Sequence, residues 1–253
     1  MPSPTSLNDR LVTIPVMLCL VVCLTLFCAG IPSTVTADDQ LVRIHTESGE
    51  ILVELDEELA PAHVHHFVHL ASSGFFAGTS FHRVVPGFVI QGGDPNSRDD
   101  DPRNDGQGGP TLKDVLDAEQ YAQFLAINES LTSRGYVSLP EQVNLMAEFS
   151  TTAKHRRGVL SMARARANDS AGSQFFICVA DRFDLDGKYT VFGYVVSGMD
   201  VVDAIVSAPR LDDSQTPLEP VHIQRMEVLA GEADLTAAEL IAWREYQAAA
   251  GSD

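Results

Sequence analysis

Four histidines crowd one stretch of the chain, His63, His65, His66 and His69. His65 and His69 are four residues apart, a spacing that brings two imidazoles to one helix face. A metal site needs three or four ligands, and no cysteine or obvious carboxylate nearby completes the set, so they read as solvated helix surface. Asn96 to Gly109 is rich in Asp, Asn, Gly and Pro around Asp99-Asp100-Asp101. Such oxygen ligands can hold calcium, but the spacing does not follow the EF-hand pattern. No metal and no cofactor is expected. No Gly-x-Ser-x-Gly, His-Glu-x-x-His or phosphate-binding Gly-Lys-Ser/Thr occurs, which removes the common routes to nucleophilic, zinc and nucleotide chemistry. Cys178, inside the apolar run Phe175 to Val179, reads as a buried, inert thiol. Taken alone, Arg83 reads as half of a surface ion pair.

Longer patterns change that reading. One segment is Phe81-His82-Arg83-Val84-Val85-Pro86-Gly87-Phe88-Val89-Ile90-Gln91-Gly92-Gly93-Asp94. A second runs from Gly158-Val159-Leu160-Ser161-Met162-Ala163 to Gly172-Ser173-Gln174-Phe175-Phe176-Ile177. A third is Leu185-Asp186-Gly187-Lys188-Tyr189-Thr190-Val191-Phe192-Gly193. In this order they resemble the cyclophilin family of peptidyl-prolyl cis/trans isomerases, over roughly Leu41 to Leu229 less an inserted Thr111–Asn144.

The resemblance implies a mainly β fold, a closed eight-stranded antiparallel barrel capped by two helices, here with a partly helical insertion and a C-terminal helix. It implies that proline-containing polypeptides bind on the barrel's outer face. Arg83 matches the family's catalytic arginine and Gln91 the residue that binds the substrate carbonyl and holds Arg83. Phe88, Val89, Phe176 and Leu185 match the walls of the proline pocket, where base rates alone would place them in the core. Ala163 and Arg164 match the groove edge that pairs with an extended peptide. Gln174 shapes the same edge, and Tyr189 stands where a histidine is often found. The physics fits an arginine. Resonance puts a barrier of about 18–20 kcal/mol on rotation about the peptide bond. A guanidinium donating to the prolyl nitrogen draws its lone pair out of conjugation, and that bond strengthens only as the nitrogen becomes pyramidal.

Three positions depart from the family pattern. Asp184 stands where many eukaryotic members carry tryptophan, Tyr189 replaces the histidine, and Val89 stands where methionine is common. Loss of the indole removes a large contact and a donor, which tells against tight cyclosporin binding. Arg164 and Arg166 add positive charge beside the groove, from which a preference for acidic flanking residues is expected.

The elements that must position these groups follow from periodicity. Leu41 to Leu55 alternates about Ser48-Gly49, a hairpin. Pro61 opens a helix with Val64, Phe67 and Leu70 on one face, closed by Ser73-Gly74. Strands are expected over Phe81–Gln91, Gly158–Met162, Gln174–Val179, Tyr189–Val196 and His222–Leu229. Short helices are expected within Thr111–Asn144 and over Met199–Val206. Thr236 and Glu239 form a capping box before Leu240, Ile241 and Trp243, so the tail is expected to be helical.

At the other end, a polar start with Arg10, the apolar run Leu11 to Gly30 and Val35-Thr36-Ala37 read as a signal peptide cut after Ala37. The expected organisation is a leader over 1–37, an isomerase domain over 38–230 with its insertion at about 111–144, and a helical tail over 231–253. Three of the four cysteines fall in the leader, leaving Cys178 and no internal disulfide. Export is expected, a bacterial periplasm suiting the leader best, with no stable membrane association once it is cleaved; the alternative is an anchor left uncut. A net charge of −18 speaks against nucleic acid, and a monomer is expected. The rival reading of function is a proline-peptide binding module or chaperone with little turnover.

Overall fold

The computed structural model describes residues 40–99, 101–211 and 214–250; the expected leader lies outside them. Eight strands form one antiparallel sheet. They are β1 (Gln40–Thr46), β2 (Gly49–Leu55), β3 (Arg83–Val85), β4 (Val89–Gly92), β5 (Val159–Met162), β6 (Phe175–Cys178), β7 (Val191–Ser197) and β8 (Ile223–Val228). Their order in the sheet is β3-β4-β6-β5-β7-β2-β1-β8. The helices are α1 (Pro61–Ser72), α2 (Leu112–Val115), α3 (Ala118–Ser133), α4 (Met199–Val206) and α5 (Ala237–Ala250). The single strand expected over Phe81–Gln91 is two. Pro86-Gly87-Phe88 turns the chain, and Gly87 takes φ of 72°, a left-handed conformation that glycine adopts without strain.

The sheet curls until its edges nearly meet, but β3 and β8 share no ladder, which corrects the expectation of a fully closed barrel. Instead the stretch leading into β3 pairs with the first residue of β8 and the residues just before it. Gly78 N–H donates to Ile223 O at 2.8 Å, Ile223 N–H to Thr79 O at 2.7 Å and Phe81 N–H to Val221 O at 3.0 Å. These bonds satisfy backbone groups that an open edge would leave exposed.

Period-two alternation sends half of each strand inward. Val42, Ile44, Ile51, Val53, Val84, Ile90, Leu160, Phe175, Ile177 and Phe192 join one interior core with Val64 and Phe67 of α1. The Phe67 ring lies 5.0 Å from that of Phe76, 5.5 Å from Phe175 and 5.2 Å from Phe192. Each such buried phenylalanine contributes about 1.5–3 kcal/mol, and a packed interior leaves the outer face to carry the site.

His65 and His69 are exposed, as expected, but His63 is wholly buried. Its Nδ1 lies 2.6 Å from Glu148 Oε2, and the same carboxylate accepts from the Ala62 and His63 backbone N–H groups. Glu148, four residues beyond the insertion, thus caps α1, which has no side-chain cap of its own. The insertion holds α2 and α3, each begun by a capping box.

The tail helix α5 starts at the Thr236–Glu239 capping box and lies against the outer face of the sheet. Leu235 and Trp243 cover Leu41, Leu52 and Leu229. Arg43 of β1 donates from Nε and Nη2 to the two carboxylate oxygens of Glu239, both at 2.8 Å.

Candidate active site

Residues of the sheet that point outward from β3, β4, β6 and β5 form a cross-strand row. Arg83 pairs with Gln91, Gln91 with Phe176, and Phe176 with Ser161. Register alone therefore brings together a cation, an amide and an aromatic ring that are up to 93 residues apart in the chain (176 − 83). A cavity of about 120 Å³ opens beside them, lined by Arg83, Phe88, Val89, Gln91, Ala163, Arg164, Phe176, Leu185 and Tyr189. Nine of the ten residues singled out from sequence meet here. Gln174 is the tenth and stands one layer behind.

Its place is defined by a chain of hydrogen bonds. Arg83 Nη1 donates to Gln91 Oε1 at 3.0 Å, Gln91 Nε2 to Gln174 Oε1 at 2.9 Å, and Gln174 Nε2 to Gly108 O at 2.8 Å. A Cβ at Gly108 would run into Asp94 Oδ1, so any larger residue there would have to displace the Asp94 side chain. Arg83 Nε donates to Gln215 Oε1. A guanidinium carries five N–H groups; three of Arg83's meet no acceptor among the described residues. Burial lowers the Arg83 pKa, yet arginine keeps its charge throughout the physiological range.

The pocket wall is apolar and aromatic. Phe176 meets Tyr189 edge to face, with centroids 5.5 Å apart, and the Arg83 guanidinium lies 5.5 Å from the Phe88 ring centre. Behind Phe176, the buried His155 ring stacks at 6.1 Å. His155 Nδ1 is 3.0 Å from Asp186 Oδ1, and Nε2 is 3.1 Å from Ser161 Oγ. Burial holds His155 below the usual imidazole range despite Asp186. The trio has the residue types of a hydrolytic triad. However, Ser161 is 0% exposed, so no substrate carbonyl reaches it, and the trio props Phe176 in place.

Arg164 lines the pocket in an unexpected way. Its guanidinium donates to the carbonyls of Lys188, Ala165 and Arg166. It also lies between the Tyr189 and Phe149 rings, 5.0 and 5.7 Å from their centres. Most of its donors are committed to backbone, so it staples the 163–166 loop to the 188–189 turn, which weakens the case for a preference for acidic flanks.

Gln215, His155 and Phe149 escaped the sequence reading. Gln215 belongs to the loop after α4 and carries no local signal. His155 lies three residues before the second motif and could have been read with it.

Among the described residues, no group of three or more His, Cys, Asp or Glu side chains is arranged to hold a metal ion. An outward-facing apolar pocket with one anchored cation, on a curled eight-stranded antiparallel sheet, defines a protein that holds a small apolar group next to a hydrogen-bond acceptor.

The family is narrower than that class. Residues 41–228 match the model of the cyclophilin type peptidyl-prolyl cis-trans isomerases, and the chain belongs to this family of isomerase enzymes. It is 38% identical over 183 residues to the peptidyl-prolyl cis-trans isomerase ppi1 of Schizosaccharomyces pombe, covering 72% of this chain and 94% of that protein. It is 34% identical over 198 residues to the peptidyl-prolyl isomerase cwc-27 of Neurospora crassa, covering 76% of this chain but only 34% of that longer protein. The crystal structure of a Cryptosporidium parvum cyclophilin type isomerase superposes with a TM-score of 0.60 at 27% identity, covering 77% of this chain and 99% of that one. The same enzyme in the presence of the dipeptide Ala-Pro gives 0.59 at 28% identity, covering 76% of this chain and 100% of that one.

Proposed function

We propose that the protein accelerates rotation about Xaa-Pro bonds in polypeptides, without covalent chemistry, metal or cofactor. The proline ring enters the cavity between Phe88, Val89, Phe176, Leu185 and Tyr189. Gln91 binds the substrate carbonyl while Arg83 donates to the prolyl nitrogen as the bond twists. The observation that carries this reading is Arg83 itself, tethered on two sides by Gln91 and Gln215, with its other three donors unpartnered among the described residues. An aimed, immobile cation stabilises charge that develops in the transition state without reorganising. The apolar walls keep water from competing for the nitrogen.

A protease-coupled assay on an Ala-Pro peptide tests it. Uncatalysed isomerisation takes tens to hundreds of seconds, so acceleration is easily read. Arg83→Ala should lose on the order of a hundredfold in kcat/KM. A folded wild type that binds proline peptides without accelerating them would favour the binding-module reading. That reading draws support from the insertion, where Tyr136 is 61% and Val137 88% exposed.

Delivery outside the cytoplasm is part of the proposal and rests on the leader read over 1–37. Sequencing the N-terminus of the protein after cell fractionation tests it, and a chain starting at Met1 in the cytoplasm would end it.

A further inference from the structure

Arg182 lies just outside the pocket lining. It begins the turn Phe183–Leu185, and its backbone N–H is bonded to His155 O. Its guanidinium carbon stands 4.0 Å from the centre of the Phe88 ring, nearer than that of Arg83. Nε and Nη2 donate to the two carboxylate oxygens of Asp184 at 2.8 and 2.9 Å. This fork-to-fork pairing fixes the guanidinium plane. The Arg182 side chain is only 28% exposed, against 59% for Asp184. Of its five N–H groups two are spent on Asp184; the other three meet no acceptor among the described residues.

A planar group stacked on a pocket wall, with fixed and unused donors, has the attributes of a recognition element. The Arg182–Asp184 pair sits at the rim of the pocket, against Phe88 and beside Leu185 of its lining. Asp184 also decides the chemistry of the acceptor. It balances the charge of Arg182 and would repel a second carboxylate, leaving a neutral oxygen as the favoured partner.

We propose that Arg182 is a substrate-binding residue that donates from Nη1 to a main-chain carbonyl of a peptide residue outside the Xaa-Pro pair. The proposal rests on the reading of the pocket as a proline site. It locates specificity for an extended peptide on Arg182 rather than on the charge of Arg164.

The test compares wild type with Arg182→Ala and Arg182→Lys on two probes, measuring turnover by NMR exchange and affinity by NMR titration. One probe is a pentapeptide with residues on both sides of Ala-Pro, the other an Ala-Pro dipeptide amide. On the pentapeptide, Arg182→Ala should raise KM and Kd about tenfold, as expected for a charge-assisted bond, with kcat unchanged. Lysine should recover part of the loss. On the dipeptide the variants should match wild type within about twofold. Equal losses on both probes would mean that Arg182 merely supports Phe88, and no loss on either would make the pair a bare surface contact; each overturns the proposal while the wild type still works. A wild type that neither binds nor turns over either probe would overturn the proline-site reading, and this proposal with it.

Discussion

Gln174 Oε1 accepts a hydrogen bond from Gln91 Nε2 at 2.9 Å, so the amide that orients Arg83 is itself held by a second amide. Gln174 in turn is tied to the backbone at Gly108. An unsupported Gln91 could rotate its amide and present Nε2, a donor, to the guanidinium. Gln174 is thus a positioning residue, and Gln215 plays the same part on the other side of Arg83.

Removing either support should cost less than removing Arg83. We expect Gln174→Ala and Gln215→Ala each to lower kcat by roughly threefold to tenfold, about the worth of one hydrogen bond, with thermal stability little changed. Combined with Arg83→Ala, neither should add a further loss, because residues acting through one group are non-additive. Additive losses in a double-mutant cycle would show that these glutamines act independently of Arg83.

No step of the proposed reaction moves a proton, so the rate should not follow a titration. Arg83 stays charged. His155, the ionisable ring behind the pocket, is held by burial below the usual imidazole range and is neutral at neutral pH. The expected kcat/KM is flat from about pH 6.5 to about pH 8.5. A bell-shaped profile across that interval would point to a general acid or base.

The tail helix carries a pH-dependent share of stability. Hydrogen bonding to Arg43 holds the Glu239 carboxyl down to about 2, below its ordinary value of about 4.3. A depressed folded-state pKa stabilises fully above the unfolded value and is lost as pH falls through the folded one. The Arg43–Glu239 tie should therefore be complete at pH 7, weaken below about pH 4.5 and be gone only below about pH 2, a change of about 3 kcal/mol. Urea unfolding at about pH 7 and about pH 3 checks this, with Glu239→Gln expected to lose most of the difference.

Much of the fold was legible in the chain because its periods are local. The hairpin breaks near Ser48-Gly49, α1 starts at Pro61, α4 spans Met199–Val206 as expected, and the Thr236–Glu239 capping box begins α5. The division of Phe81–Gln91 into two strands was missed. Its apolar run continues on both sides of the turn, and the one local signal, the Pro86-Gly87 turn dipeptide, was passed over.

The sequence by itself determined the family, the inventory of the pocket and the candidate role of Arg83, since motifs of such length preserve residue identity and order. It did not determine which side of every strand faces inward, because Val159–Met162 and Phe175–Cys178 are buried on both faces. Only the tertiary structure decided how those groups are held. Gln215 reaches Arg83 from 132 residues away, Glu148 caps α1 across 85 or more residues, and Glu239 meets Arg43 across 196. Such partners leave no mark on local pattern, because a hydrogen bond depends on where two atoms meet in space, and the curl of the whole sheet sets that meeting.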